Sequence, residues 1–93
     1  MTERVKLIEN RLKSALNPDF LTIEDQSKDH ENHAGAHQSG GGHFHVTLVS
    51  SLFEGKALLV RHRLVYNALE GLIGPEIHAL QIVAKTPQEH SLG

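Results

Sequence analysis

The spacing of apolar residues along this chain switches between two periods, and each switch marks a change of secondary structure. Spacings of three and four near the start predict an amphipathic helix that Thr2 can cap and that Asn17-Pro18 ends. Strict alternation follows over residues 20 to 25 and again over residues 43 to 50, which predicts two strands. The apolar positions of the helix are Val5, Ile8, Leu12 and Leu16.

The second half of the chain repeats the change from a helical period to a strand period. A broad apolar face over residues 58 to 73 predicts a long helix that Gly74-Pro75 stops. Alternation from Leu80 to Lys85 then predicts a third strand, and His78, by its parity, is expected on the same face as Leu80, just beyond the covering helix. A short terminal helix can begin at residues 86 and 87, a Thr-Pro pair.

The order α-β-β-α-β predicts an α+β fold, with one two-layer domain over residues 1 to 93. A three-stranded sheet with both helices on one face is the simplest packing of these elements. The second strand is expected antiparallel to the first, and a parallel third strand would follow a right-handed crossover. The polar segment from about residue 27 to 42, rich in glycine and histidine, is predicted to be a mobile loop between the first two strands.

Composition narrows the classes of function. The formal charge of −2 creates no global attraction to nucleic acid or acidic lipid, so any such binding needs a local patch. No apolar run approaches the roughly 18 residues that span a bilayer, and the polar start MTERVKLIENRLK does not resemble a secretory signal, so no membrane association and a cytoplasmic location are expected. Because the chain has no cysteine, any soft metal must be bound by histidine.

Histidine is the residue type in clear excess. The chain has eight histidines. His43 and His45 form a His-x-His pair on one strand face, a spacing that also serves metal sites, but no third ligand follows at a fitting distance. The favoured interpretation of that pair is that one ring faces solvent and the other bonds across strands. His62 lies within an apolar helical stripe and is expected to be a packed structural residue.

Four segments resemble the BolA family, in its bacterial type. The longest is FEGKALLVRHRLVYNAL at residues 53 to 69, in which Phe-x-Gly leads into Arg-His-Arg-x-Val. It is accompanied by HFHVTLVS (43 to 50), IHAL (77 to 80) and KTP (85 to 87), in the family's order. The resemblance implies a fold similar to the class II KH domain. One departure is Gln88-Glu89-His90, where the family commonly has an aromatic residue, so the terminal helix is expected to pack poorly.

The resemblance implies partnership with a monothiol glutaredoxin, in iron-sulfur cluster assembly or trafficking, or in iron and stress regulation. The two proteins would share a bridging 2Fe-2S cluster together with glutathione, and the isolated chain would lack it. The histidine of Ile-His-Ala-Leu, here His78, is then one ligand. The second ligand comes from the loop, where His30 is slightly favoured by its place after Ser27, and His33 and His37 remain alternatives. Two histidines cannot complete the coordination of two irons, so the partner must supply the rest.

The resemblance also implies a second function, DNA binding as a regulator of morphology and stress genes. Lys56, Arg61 and Arg63 form a local basic group around the start of the long helix and are the nucleic-acid candidates. Gly71-Leu72-Ile73-Gly74 matches the letters of a KH loop, but it lacks basic residues and is interpreted as a helix end. A weak homodimer is a further alternative partnership.

The sequence offers no catalytic arrangement. It contains no Ser-His-Asp pattern, P-loop or paired-carboxylate motif, and Ser50-Ser51 lies in a predicted turn without an assigned base. A small metal-dependent enzyme is therefore the least favoured hypothesis, and the chain is expected not to be an enzyme.

Overall fold

A computed structural model describes residues 3–26 and 42–92 of the chain. The predicted loop over residues 27 to 42 lies outside the described residues, except for Gly42, which belongs to the second strand. The elements in chain order are α1 (Glu3–Leu16), β1 (Phe20–Asp25), β2 (Gly42–Val49), a 3-10 turn (Ser51–Phe53), α2 (Leu58–Ala68), β3 (Ile77–Lys85) and α3 (Pro87–Leu92).

The strands form one mixed sheet in the order β1-β2-β3. β1 pairs with β2 antiparallel, with Phe20 opposite Val49, and β2 pairs with β3 parallel. The parallel pair requires a crossover, which α2 provides. The predicted α+β fold with a three-stranded sheet is therefore confirmed, including the antiparallel first pair.

One face of the sheet carries the apolar core. Along β2, Phe44, Val46 and Leu48 are buried, and the residues between them are partly exposed, as period-two alternation requires. The buried stripe of α1 belongs to the same core cluster, as do Val65, Leu69 and Leu72 from α2 and the turn after it. α1 ends as the sequence predicts, at Asn17, whose φ of 44° takes the left-handed conformation common after helices.

The long helix is shorter than its apolar pattern predicts. α2 ends at Ala68, and the chain then runs through tight turns in which Gly71 and Gly74 have φ of 88° and 105°. The N–H groups of Glu76 and Ile77 donate to the carbonyl of Leu72 at 3.0 and 2.9 Å. These turns still direct Leu72 into the core, so the helical period continues in the sequence after the helix has ended.

β3 begins with an irregularity that the sequence does not reveal. Gly42 pairs with Ile77, but His43 pairs with Ala79, so His78 is an extra residue between two registered pairs. Ile77 is buried in the core while His78 is exposed. The expectation that His78 shares the face of Leu80 is therefore wrong, because the bulge interrupts the alternation.

α3 is held by its first residues. Glu89 N–H donates to Thr86 Oγ1 at 3.1 Å, and Thr86 N–H donates to Glu89 Oε1 at 2.9 Å, which is a reciprocal capping box with Pro87 in the first helical position. Glu89 also accepts two bonds from Arg61. His90 stacks on Phe20 with ring centroids 5.0 Å apart. α3 nevertheless buries no residue, which agrees with the expectation of poor packing, so these polar contacts and the ring stack are what attach it to the fold.

Acid should weaken the attachment of α3. The bonds from Arg61, followed by the N–H of Thr86, lower the pKa of Glu89 from 4.5 to about 2. A carboxylate whose folded pKa is lowered contributes stability above its unfolded pKa, and that contribution is lost as pH falls through its folded pKa. Between about pH 4.5 and pH 2 the wild type should therefore lose a stability component that Glu89→Gln lacks. Urea unfolding across this range tests it, with Glu54→Gln as the exposed control, and equal pH dependence in wild type and Glu89→Gln would contradict it.

Candidate functional site

Two imidazoles meet at the start of the parallel strand pair. His78, the extra residue of the bulge, is exposed at the beginning of β3, and its ring centroid lies 5.3 Å from that of His43 on β2, with the planes tilted by 45°. His43 lies on the face opposite Phe44 and is partly exposed. The bulge thus turns His78 toward the open face of the sheet. There the two rings form a pair of potential nitrogen ligands for a metal ion.

The two residues that flank the segment from 27 to 41, Gln26 and Gly42, lie beside this pair. The N–H of Gln26 donates to the carbonyl of His43 at 2.7 Å, and the N–H of Gly42 donates to the carbonyl of Glu76 at 3.1 Å. The chain therefore leaves and re-enters the described structure next to His43 and His78. The predicted loop ligands on that segment, His30, His33 and His37, lie outside the described residues, so their role stays a prediction.

The His-x-His pair does not act as a unit. His45 Nδ1 lies 3.2 Å from Glu24 Oε1 on the neighbouring strand, whereas His43 contacts His78. The cross-strand bond of His45 agrees with the favoured interpretation of the motif, in which one ring bonds across strands. His43 is the site residue that sequence reasoning undervalued, because its closeness to His78 depends on the register of β2 and β3.

The chain alone offers an incomplete metal site within its described part. Across residues 3–26 and 42–92, no group of three or more His, Asp or Glu side chains is placed to hold a metal ion. The same two ranges contain no helix long and apolar enough to cross a membrane. Within these ranges, His43 and His78 could supply two nitrogen ligands to a metal ion, and the remaining ligands would have to come from elsewhere.

The three basic candidates differ sharply in their surroundings. Lys56 and Arg63 are exposed, but Arg61 is 8% exposed and its guanidinium donates four hydrogen bonds. Nε donates to the carbonyl of Lys56 at 2.8 Å, and Nη1 donates to the carbonyl of Ala84 at 3.1 Å. The two terminal nitrogens donate to both oxygens of Glu89, at 2.6 and 3.1 Å. Arg61 is thus a structural residue, which corrects its place in a phosphate-binding group.

His62 is less enclosed than its apolar setting in the sequence predicts. Its residue is only partly buried, and it lines an open groove between α2 and β3. The helical period places it toward the sheet edge, where the covering layer ends.

Comparison with known proteins decides the family. The sequence model described as BolA-like protein matches residues 12–89. The chain belongs to the BolA family. It is 47% identical over 83 residues to BolA-like protein 1 of Mus musculus, covering 88% of this chain and 57% of that protein. It is 38% identical over 82 residues to the DNA-binding transcriptional regulator BolA of Escherichia coli K12, covering 88% of this chain and 74% of that protein.

Comparisons with Arabidopsis thaliana give a structural match and a difference in length. The BolA domain of SufE1 superposes with a TM-score of 0.80 at 39% identity, covering 96% of this chain and 98% of that one. The SufE-like protein 1, chloroplastic/mitochondrial, is 43% identical over 86 residues, which cover 88% of this chain but 23% of that protein. The chain thus matches the BolA-like part of a much longer relative, and its own cytoplasmic location stays a prediction.

Replacing Arg61 should destabilise the fold. Arg61→Met removes donors from two backbone carbonyls and from Glu89, and a lost bond to a charged or buried partner costs about 1–3 kcal/mol. Arg63→Met, two residues away on the exposed side of α2, should change the free energy of unfolding by less than ~0.5 kcal/mol. Urea denaturation at neutral pH measures both, and equal effects of the two substitutions would contradict the structural role of Arg61.

Proposed function

We propose that this BolA-family chain acts as a binding partner rather than a catalyst, and that it co-ligates a bridging 2Fe-2S cluster with a monothiol glutaredoxin. The observation that carries the proposal is the contact between the partly exposed His43 and the exposed His78, beside which lie Gln26 and Gly42, the residues that flank the histidine-rich segment 27 to 41. The role fits cluster assembly or trafficking, or iron and stress regulation.

The ligand count requires a second protein. Each iron of such a cluster takes two terminal ligands beyond the bridging sulfides. This chain has no cysteine, so it offers imidazoles, and the glutaredoxin would add one thiolate and its glutathione another. Imidazole ligands raise the reduction potential relative to four thiolates. Shared ligation also agrees with the incomplete donor set of the described residues.

His78 is the ligand that the fold positions best. It is fixed between paired residues of two strands, and its removal opens no core cavity because the side chain is exposed. Two imidazoles whose nitrogens lie about 2.1 Å from one tetrahedral ion have ring centroids roughly 5 Å apart. The observed 5.3 Å between His43 and His78 fits this requirement. His43 therefore joins His30, His33 and His37 as a candidate second ligand.

DNA binding is the second candidate function. It is favoured by the printed description of the Escherichia coli relative as a DNA-binding transcriptional regulator. Lys56 and Arg63 are the exposed cations that would contact phosphate, whereas Arg61 is occupied by Glu89. With a net charge of −2 and two such residues, the chain has a modest electrostatic footprint.

Loss of His78 should separate cluster binding from folding. In a co-expressed glutaredoxin complex, His78→Ala should strip iron or shift the visible absorption. The unfolding midpoint of the isolated His78→Ala chain should equal that of the wild type. His45→Ala is the matched control, since it removes a ring on the same face that is bonded to Glu24. Single replacements of His30, His33, His37 or His43 identify the second ligand. A wild-type spectrum in His78→Ala and in the variant lacking the other four would refute the proposal.

DNA binding by the isolated chain should be weak and steeply salt-dependent. Non-specific contacts to phosphate give dissociation constants of about 1–100 µM at physiological salt, with a log-log salt slope near −0.9 per phosphate contact. Lys56→Ala and Arg63→Ala should each reduce the slope by about one contact. Fluorescence anisotropy over a salt series measures this, and submicromolar binding that persists at high salt would make DNA regulation the leading function.

A further inference from the structure

A groove between α2 and the free edge of β3 is a surface feature that the histidine site does not use. It has a volume of about 680 Å³ and its walls come from the start of α2, the end of β3 and Glu89. Leu58 on one wall is 63% exposed, and Ile82 and Val83 on the other are partly exposed. An apolar groove beside a strand edge is a shape that suits an extended chain.

The backbone of β3 alternates between bonding to β2 and facing this groove. The carbonyl of Lys85 accepts from Ser50 N–H at 3.0 Å, on the β2 side, whereas the carbonyl of Ala84 accepts from Arg61 on the outer side. In a parallel pair the N–H and C=O of one residue point the same way and alternate along the strand. The outward groups are therefore those of Ala84 and Ile82, which line the groove, and of Leu80 just beyond it. No partner from residues 3–26 or 42–92 bonds to the outward groups of Leu80 and Ile82.

This edge lacks the devices that usually prevent strand pairing. Between the bulge at His78 and Lys85, β3 contains neither proline nor a charged side chain. Further along, the carbonyl of Ala84 already accepts from Arg61 and the N–H of Thr86 already donates to Glu89, so Ala84 offers only its N–H. The open stretch, in which both outward backbone groups lack a partner among the described residues, thus runs from Leu80 to Ile82. The Arg61–Glu89 ion pair lies just beyond its end.

The charge of the groove defines its partner. Arg61 and Glu89 neutralise each other, which leaves Lys56 and Lys85 as the cations of the lining. Within the described ranges, neither lysine has a carboxylate within 4 Å. The first turn of α2 adds backbone N–H groups, because its cap residue Ala57 makes no side-chain cap bond. A carboxylate entering the groove would meet three sources of positive potential.

We propose that the edge of β3 docks an extended apolar peptide segment of another protein as a fourth strand, with an acidic residue of that segment placed at Lys56 and Lys85. A peptide supplies the alternating N–H and C=O groups that Leu80 and Ile82 require, which a nucleic acid does not. Among the described residues that line the groove, His62 has the only ring, so the groove offers little surface for base stacking. The open stretch begins two residues after His78, about 7 Å along a strand that rises ~3.3 Å per residue, and the cation at Lys85 lies about 23 Å from His78.

The test uses the full chain, labelled with ¹⁵N, and a synthetic peptide, acetyl-Thr-Val-Thr-Val-Thr-Asp-Asp. Solvent exchange of the Leu80 and Ile82 amides should slow about five-fold when ~80% of the chains are occupied, because exchange then proceeds from the free fraction. The amides of Gln81 and Val83, which face β2, are internal controls. A peptide ending in Lys-Lys should bind more weakly, and Lys56→Glu should weaken the acidic peptide while Lys6→Glu, an exposed lysine on α1, should not.

Ile82→Pro gives a second check, since it removes an outward N–H without removing a bond to β2. In this variant the peptide should protect the Leu80 amide less than in the wild type. The proposal is overturned if the Leu80 and Ile82 amides keep their exchange rates at millimolar peptide, or if both peptides protect them equally. It is also overturned if an eight-nucleotide oligo-dT protects them and the acidic peptide does not, which would assign the groove to nucleic acid. Protection that grows with protein concentration alone would assign it to a second copy of the chain.

Discussion

The guanidinium of Arg61 joins the parts of the chain that meet at one end of the sheet. It bonds to the turn before α2 through Lys56, to the end of β3 through Ala84, and to α3 through Glu89. These segments are far apart in sequence, and an almost fully buried charge must be balanced by such partners. Because Glu89 also caps α3, the short terminal helix is tied to the main fold by one carboxylate.

The proposed histidine ligands lie at the opposite end of the sheet. The charged contacts lie where β3 ends, whereas His78 lies where β3 begins. An exposed imidazole there costs the core little, because Ile77 fills the core position next to it. The fold thus separates its stabilising ion pair from the histidines that would engage a partner.

Much of the fold could be predicted because it depends on local periods. The stripe of α1 and the alternation of β2 place their residues in the core as the sequence indicates. The end of α2 was missed because Leu69 and Leu72 continue the helical period through a turn. The bulge at His78 and the pairing of His43 with it were missed because strand register is a non-local property that no residue pattern encodes. The role of Arg61 was missed for the same reason, since its partners lie on two other elements.

The parallel pairing of β2 with β3 also sets when the histidine pair can exist. His43 and His78 are contributed by strands on either side of the whole crossover, so they come together only when the non-local ladder between β2 and β3 has formed. Non-local strand pairing is a slow step in folding, because the entropy of loop closure must be overcome before the contacts form. The donor pair is therefore a late product of folding, and a newly made chain would offer these two imidazoles together only once its tertiary structure is complete.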